Sequence, residues 1–99
     1  MSIEKSDQYT VRVRITGRVQ GVCYRAWAQA NAQALGLSGW VRNNRDGAVE
    51  ALFSGAVNQV VEMLARCRKG PPAALVEDVA IMDEGGAPPL GFRVLPTTG

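Results

Sequence analysis

The chain contains no histidine, and only two of its 99 residues are cysteine. Without imidazole, zinc centres and histidine-based acid–base catalysis lose their usual side chain. Cys23 and Cys67 cannot build a disulfide framework, and two thiols in a chain of this size fit a reducing compartment. No apolar run approaches the roughly 18 residues needed to span a bilayer, and Met1 to Asp7 hold no signal-peptide core. A cytoplasmic protein that does not engage a membrane is therefore expected. Aromatic residues are scarce, at 6%, and Trp27 and Trp40 read as core or sheet packing, not as platforms for stacking bases. A dense basic face is missing too, since the formal charge is only +2. That is too mild for a nucleic-acid footprint.

What is present describes one small globular domain. Apolar residues make up 46% of the chain and charged residues 20%, enough for a single core and too ordinary for a disordered chain. Residues 1–7 are polar and read as a flexible tail, leaving 8–99 as the domain. Nine of the eleven basic residues are arginine, and seven of the eleven lie in residues 1–50 beside four acidic groups. Residues 51–99 carry four basic and five acidic groups, so the positive excess sits in the first half and would steer an anion there.

Periodicity gives the order of elements. Tyr9, Val11, Val13 and Ile15 alternate with Thr10, Arg12, Arg14 and Thr16, the pattern of a strand with one buried face. Tyr24 to Leu35 reads as a helix with Cys23, Trp27, Ala30 and Ala34 on its apolar side, closed by Gly36. Strands follow at Leu37 to Asn43 and Ala48 to Phe53, joined by the hairpin signal Asn44-Arg45-Asp46-Gly47. A second helix carries the stripe Val57, Val60, Val61, Leu64 and Cys67, and Gly70-Pro71-Pro72 stops it. Ala74 to Met82 reads as a fourth strand, and Leu90 to Leu95 as a short edge strand. The order βαββαβ predicts an α+β ferredoxin-like sandwich, an antiparallel sheet with two helices on one face. There the first and second strands run parallel with the third between them. Asn43 and the loop after the first strand then share a sheet edge, about 10 Å apart in backbone.

That loop, within Gly17-Arg18-Val19-Gln20-Gly21-Val22-Cys23-Tyr24-Arg25, is the stretch most suited to chemistry. A chain entering a helix leaves N–H groups without intrahelical partners at the positive end of the helix dipole, where phosphate binds readily. Gly17 and Gly21 would let those groups converge on one oxyanion as a nest. Arg25 adds a planar fork that matches two phosphate oxygens. On spacing alone, an ordinary strand-to-helix turn with a surface arginine reads equally well, and Asn43 reads more readily as a turn residue.

This stretch resembles the acylphosphatase family, whose members are small enzymes that hydrolyse carboxyl-phosphate mixed anhydrides. So do Gly39-Trp40-Val41-Arg42-Asn43 and Asp46-Gly47-Ala48-Val49-Glu50, and the resemblance runs from Tyr9 to about Leu95. It implies that Arg25 is the phosphate-binding arginine and that the backbone of Val19, Gln20, Gly21, Val22, Cys23 and Tyr24 forms the phosphate loop. It also implies that Asn43 orients the attacking water. Asn44 stands where the family often has threonine or serine, and Tyr24 where phenylalanine is usual. The substrate implied is a small acyl phosphate and the product inorganic phosphate; hydrogen-bond donors and one cation can serve it without metal or cofactor. With no unpaired amphipathic helix to demand a partner, a monomer is expected.

Chemistry agrees with so short a list of groups. The departing carboxylate has a conjugate acid near a glutamate's, about 4.3, so no general acid is needed. Holding the phosphoryl oxygens and placing a water in line suffice. Cys23 invites comparison with cysteine-dependent phosphatases, but only Tyr24 separates it from Arg25, where those enzymes place five residues. It reads as a packing residue, as does Cys67 on its apolar stripe. The competing class is a non-catalytic module of the same fold, binding a phosphorylated or carbamoyl-phosphate ligand. An RNA-binding version would need aromatics on its central strands, where this chain has Arg12, Arg14, Glu50 and Leu52. A module serving a larger protein would be expected to carry more chain.

Overall fold

The computed structural model describes residues 8–98, so the expected tail, 1–7, lies outside the described residues. The elements are β1 (Gln8–Arg18), α1 (Tyr24–Ala34), β2 (Ser38–Asn43), β3 (Val49–Ala56), α2 (Val57–Lys69), β4 (Leu75–Glu84) and β5 (Phe92–Val94). Alternation along β1 sets the layers. Val11, Val13 and Ile15 are fully buried, while Thr10, Arg12, Arg14 and Thr16 on the opposite face stay partly exposed. The buried face meets both helices, α1 over β2 and β5 and α2 over β4, β3 and β1.

The sheet order is β4-β1-β3-β2-β5. The first four strands are antiparallel neighbours, as the ferredoxin-like pattern requires. β5 then joins β2 in parallel, pairing Gly39 with Phe92 and Val41 with Val94. The pairing is parallel because the connection after β4 crosses to the far edge of the sheet instead of folding back in a tight turn. β1 and β2 end at the same edge, with β3 between them. Phe53 of β3 and Phe92 of β5 stack in the core, ring centroids 5.7 Å apart and 13° from parallel. Truncating a fully buried phenylalanine such as Phe53 costs about 3–5 kcal/mol.

The helices differ in phase from the sequence expectation. In α1 the buried residues are Tyr24, Ala28 and Ala32, not Cys23, Trp27, Ala30 and Ala34. Alanine recurs at every second position from 26 to 34, so several faces of the helix look alike. Tyr24 decides among them: it is buried, its ring packs 5.2 Å from that of Trp27, and its hydroxyl donates to the Cys67 carbonyl at 2.7 Å. Cys23 lies just before the helix in a left-handed conformation and is exposed, which corrects its reading as a packing residue. In α2 the stripe is Val60, Met63 and Cys67, and Val57 and Val61 face outward. Cys67 is core, as expected, and burial pushes its thiol up to about 12.

No described helix covers the other face of the sheet. There Glu50, only 6% exposed, accepts hydrogen bonds from Arg12, from Arg42 at 2.8 Å and from the Asn44 amide at 3.3 Å. Arg12 also reaches Asp83 at 2.8 Å, Arg14 pairs with Asp46 at 2.8 Å, and the Arg42 guanidinium lies 4.9 Å above the Trp40 ring. Burial pushes the Glu50 carboxyl up, but the hydrogen bonds from Arg42, Arg12 and Asn44 together outweigh it and hold the group below its ordinary range.

Candidate active site

The connection from β1 to α1 runs from Val19 to Cys23. Gly21 has φ 76° and Cys23 φ 64°, two left-handed residues separated only by Val22. Nothing lies within 4 Å of where a Gly21 Cβ would stand, so glycine serves there for conformation and not for space. Cys23 adopts the same region against its own Cβ, at roughly 1–2 kcal/mol. Left-handed residues on either side of Val22 are the kind of backbone from which an anion nest can be built. Among the described residues, none of the N–H groups of Val19 to Cys23 donates to a backbone carbonyl. The first N–H groups of α1 lack intrahelical partners by construction, and its first turn holds no acidic residue to occupy them.

Gly17 is not part of this nest. It lies within β1, where a register shift against β4 brings the backbones so close that a Cβ would run into the Leu75 carbonyl oxygen and the Glu77 nitrogen. Its contribution is to let β4 lie against the end of β1, just before the loop.

The loop opens on a cleft of about 490 Å³. Among the residues singled out from the sequence, Val19, Gln20, Gly21, Cys23, Tyr24, Arg25 and Asn43 line it, so the loop and the end of β2 do meet. The Val22 side chain turns away and packs against the core. Tyr24 contributes from beneath: burial, with its bond to Cys67, holds its hydroxyl protonated far above the ordinary range, which makes it an anchor for the helix start. Among the described residues no carboxylate lines the cleft and Arg25 forms no ion pair.

Asn43 is the last residue of β2, paired with Val49 across the ladder, and its carbonyl accepts from the Thr98 N–H at 3.0 Å. The chain after β5 thus runs beside the end of β2 and fixes Asn43 from the outer edge. Asn44 is not a lining residue; its amide donates to Glu50 on the opposite sheet face. The position where the family often has a hydroxyl therefore faces the charged network and not the cleft.

Three lining residues went unforeseen: Ala26, Gln29 and Val94. Gln29 was detectable, since it follows Arg25 by one helical turn and so shares its side of the helix. Val94 was not, because its place depends on the parallel pairing of β5 with β2.

The fold and the cleft together define a class: a small α+β sandwich with an anion-receptive junction where its first strand enters its first helix. Comparison with known proteins then gives the family. The acylphosphatase family model matches residues 11–94. An acylphosphatase of Bradyrhizobium diazoefficiens is 53% identical over 94 residues, covering 88% of this chain and 94% of the relative. The solved acylphosphatase of Coxiella burnetii superposes with a TM-score of 0.82 at 29% identity, over 96% of this chain and all of that one. The acylphosphatase structure from Bacillus subtilis gives 0.81 at 31% identity, over 88% and 98%. The chain belongs to the acylphosphatase family and is an enzyme of that type. No described helix is long and apolar enough to cross a membrane.

Proposed function

We propose that the protein hydrolyses acyl phosphates to a carboxylate and inorganic phosphate, without metal or cofactor, as a cytoplasmic monomer. The observation that carries this reading is the pairing in one cleft of an arginine and a run of loop N–H groups that, among the described residues, have neither a carboxylate nor a backbone acceptor as partner. Those N–H groups and Arg25 hold the phosphoryl oxygens and offset charge that develops on them. The Asn43 side-chain carbonyl accepts a hydrogen bond from the attacking water while its amide donates to a phosphate oxygen. The water oxygen bonds to phosphorus as the bond from phosphorus to the acyl oxygen breaks. The carboxylate departs with the bonding pair, and the water's proton passes to a phosphate oxygen. The acyl portion occupies the remainder of the cleft along Ala26, Gln29 and Val94. With recognition centred on the phosphate, the enzyme accepts small and aromatic acyl groups alike.

The test is hydrolysis of benzoyl phosphate, followed by ultraviolet absorbance in excess EDTA, with Asn43→Ala as the comparison. Wild type should turn over at full rate, and the variant should lose about 100-fold or more in kcat, the scale of one oriented donor group. A folded wild type that leaves benzoyl phosphate intact would point instead to a non-catalytic module with an anion site.

A further inference from the structure

The Gln20 side chain makes contacts that the proposed chemistry does not use. Its Nε2 donates to the Asn44 carbonyl at 2.7 Å and to the Ala48 carbonyl at 2.8 Å. Those two residues form the neck of the hairpin, since the Asn44 N–H itself donates to the Ala48 carbonyl at 2.8 Å. Both amide hydrogens of one side chain are thus spent on the two strands leaving the hairpin. Asn43 is covalently joined to one of them. Its own carbonyl is held from the other side by Thr98.

We propose that the Gln20 side chain is a positioning residue that sets the distance and angle between the phosphate loop and Asn43, while its backbone belongs to the loop itself. Without the fork, nothing among the described side-chain hydrogen bonds ties the loop to the β2–β3 hairpin; the two otherwise share only the cleft and the non-directional packing of Val19 and Val22 in the core. The inference rests on the catalytic reading above. Primary amides alone suit the role among side chains of this length. A carboxylate in the same place would present lone pairs to two carbonyl oxygens, whereas a protonated carboxyl would regain one donor. A displacement of about 1 Å in a reacting group can cost about 100-fold in rate, so the fork's loss should appear in turnover before it appears in phosphate affinity.

The experiment measures kcat for benzoyl phosphate and the inhibition constant of inorganic phosphate, after circular dichroism confirms folding. It uses wild type, Gln20→Ala, Asn43→Ala, the double variant and Gln20→Glu. The proposal expects Gln20→Ala to lower kcat about 10- to 100-fold while the phosphate constant stays within about threefold. Adding Gln20→Ala to Asn43→Ala should cost little more, because both act through one group. Gln20→Glu should be slow at neutral pH and recover as pH falls and its carboxyl protonates, an acid limb absent from wild type. Should Gln20→Ala not fold, that limb alone decides. Unchanged kcat, a parallel loss of kcat and phosphate binding, or a flat Gln20→Glu profile would each overturn the role. An inactive wild type would sink the catalytic reading instead, which keeps the two failures apart.

Discussion

Two regions of this molecule use arginine in opposite ways. On the uncovered sheet face, Arg12, Arg14 and Arg42 all end on carboxylates, with Glu50 shared between two of them. In the cleft, Arg25 stands in the first turn of α1 without a carboxylate among the lining residues. The first set shows how the fold neutralises charge on its scaffold: Arg12 and Arg42 share buried Glu50, Arg42 also lies over the Trp40 ring, and Arg14 pairs with exposed Asp46. An arginine and N–H groups without partners among the described residues are suited to an anion that comes from outside. Residue type alone does not distinguish scaffold from site; the presence of an internal counter-ion does.

Breaking the contrast should give effects of very different size. Arg25→Ala should lower kcat/KM for benzoyl phosphate about 1000-fold or more, the range seen when a transition-state arginine is removed, with little change in stability. Arg42→Ala should leave kcat/KM within about threefold. Next in size, Glu50→Ala takes from Arg42 its carboxylate partner and leaves Arg12 with Asp83 alone, and should cost about 1–3 kcal/mol by denaturant unfolding, with kcat nearly unchanged. Its pH dependence has a definite sign. The folded-state pKa of Glu50 lies below its ordinary 4.5, so its contribution is present above that value and is lost as pH falls through the depressed one. Wild type should therefore lose stability relative to Glu50→Ala only in acid. Smallest of all, breaking the exposed Arg14–Asp46 pair should leave the unfolding midpoint almost where it was. A Glu50→Ala variant as slow as Arg25→Ala would erase the distinction between the two regions.

Much of this arrangement was legible in the chain. The alternation of Val11, Val13 and Ile15 gave β1 and its buried face, and the hairpin residues Asn44 to Gly47 joined β2 to β3 as read. The meeting of the loop with Asn43 followed from strand order. Two kinds of information were not local enough to read. The phase of α1 depends on Tyr24 reaching Cys67 on the other helix, a long-range contact, while the alternating alanines made the neighbouring faces look equivalent. Gly17 looked like a loop glycine because sequence shows that a glycine is needed, not which backbone approaches it. The Gln20 fork was hidden for the same reason: its acceptors are carbonyls on the distant β2–β3 hairpin, and every residue type has a carbonyl.

The most direct test of the central claim is a calorimetric titration of inorganic phosphate into wild type, Arg25→Ala and Arg42→Ala, at equal ionic strength and in excess EDTA. The account predicts that Arg25→Ala weakens phosphate binding about 30-fold or more and that Arg42→Ala matches wild type within about twofold. Equal losses in the two variants, or none in either, would contradict it, because an unpaired arginine in the cleft would then matter no more than a neutralised one on the sheet.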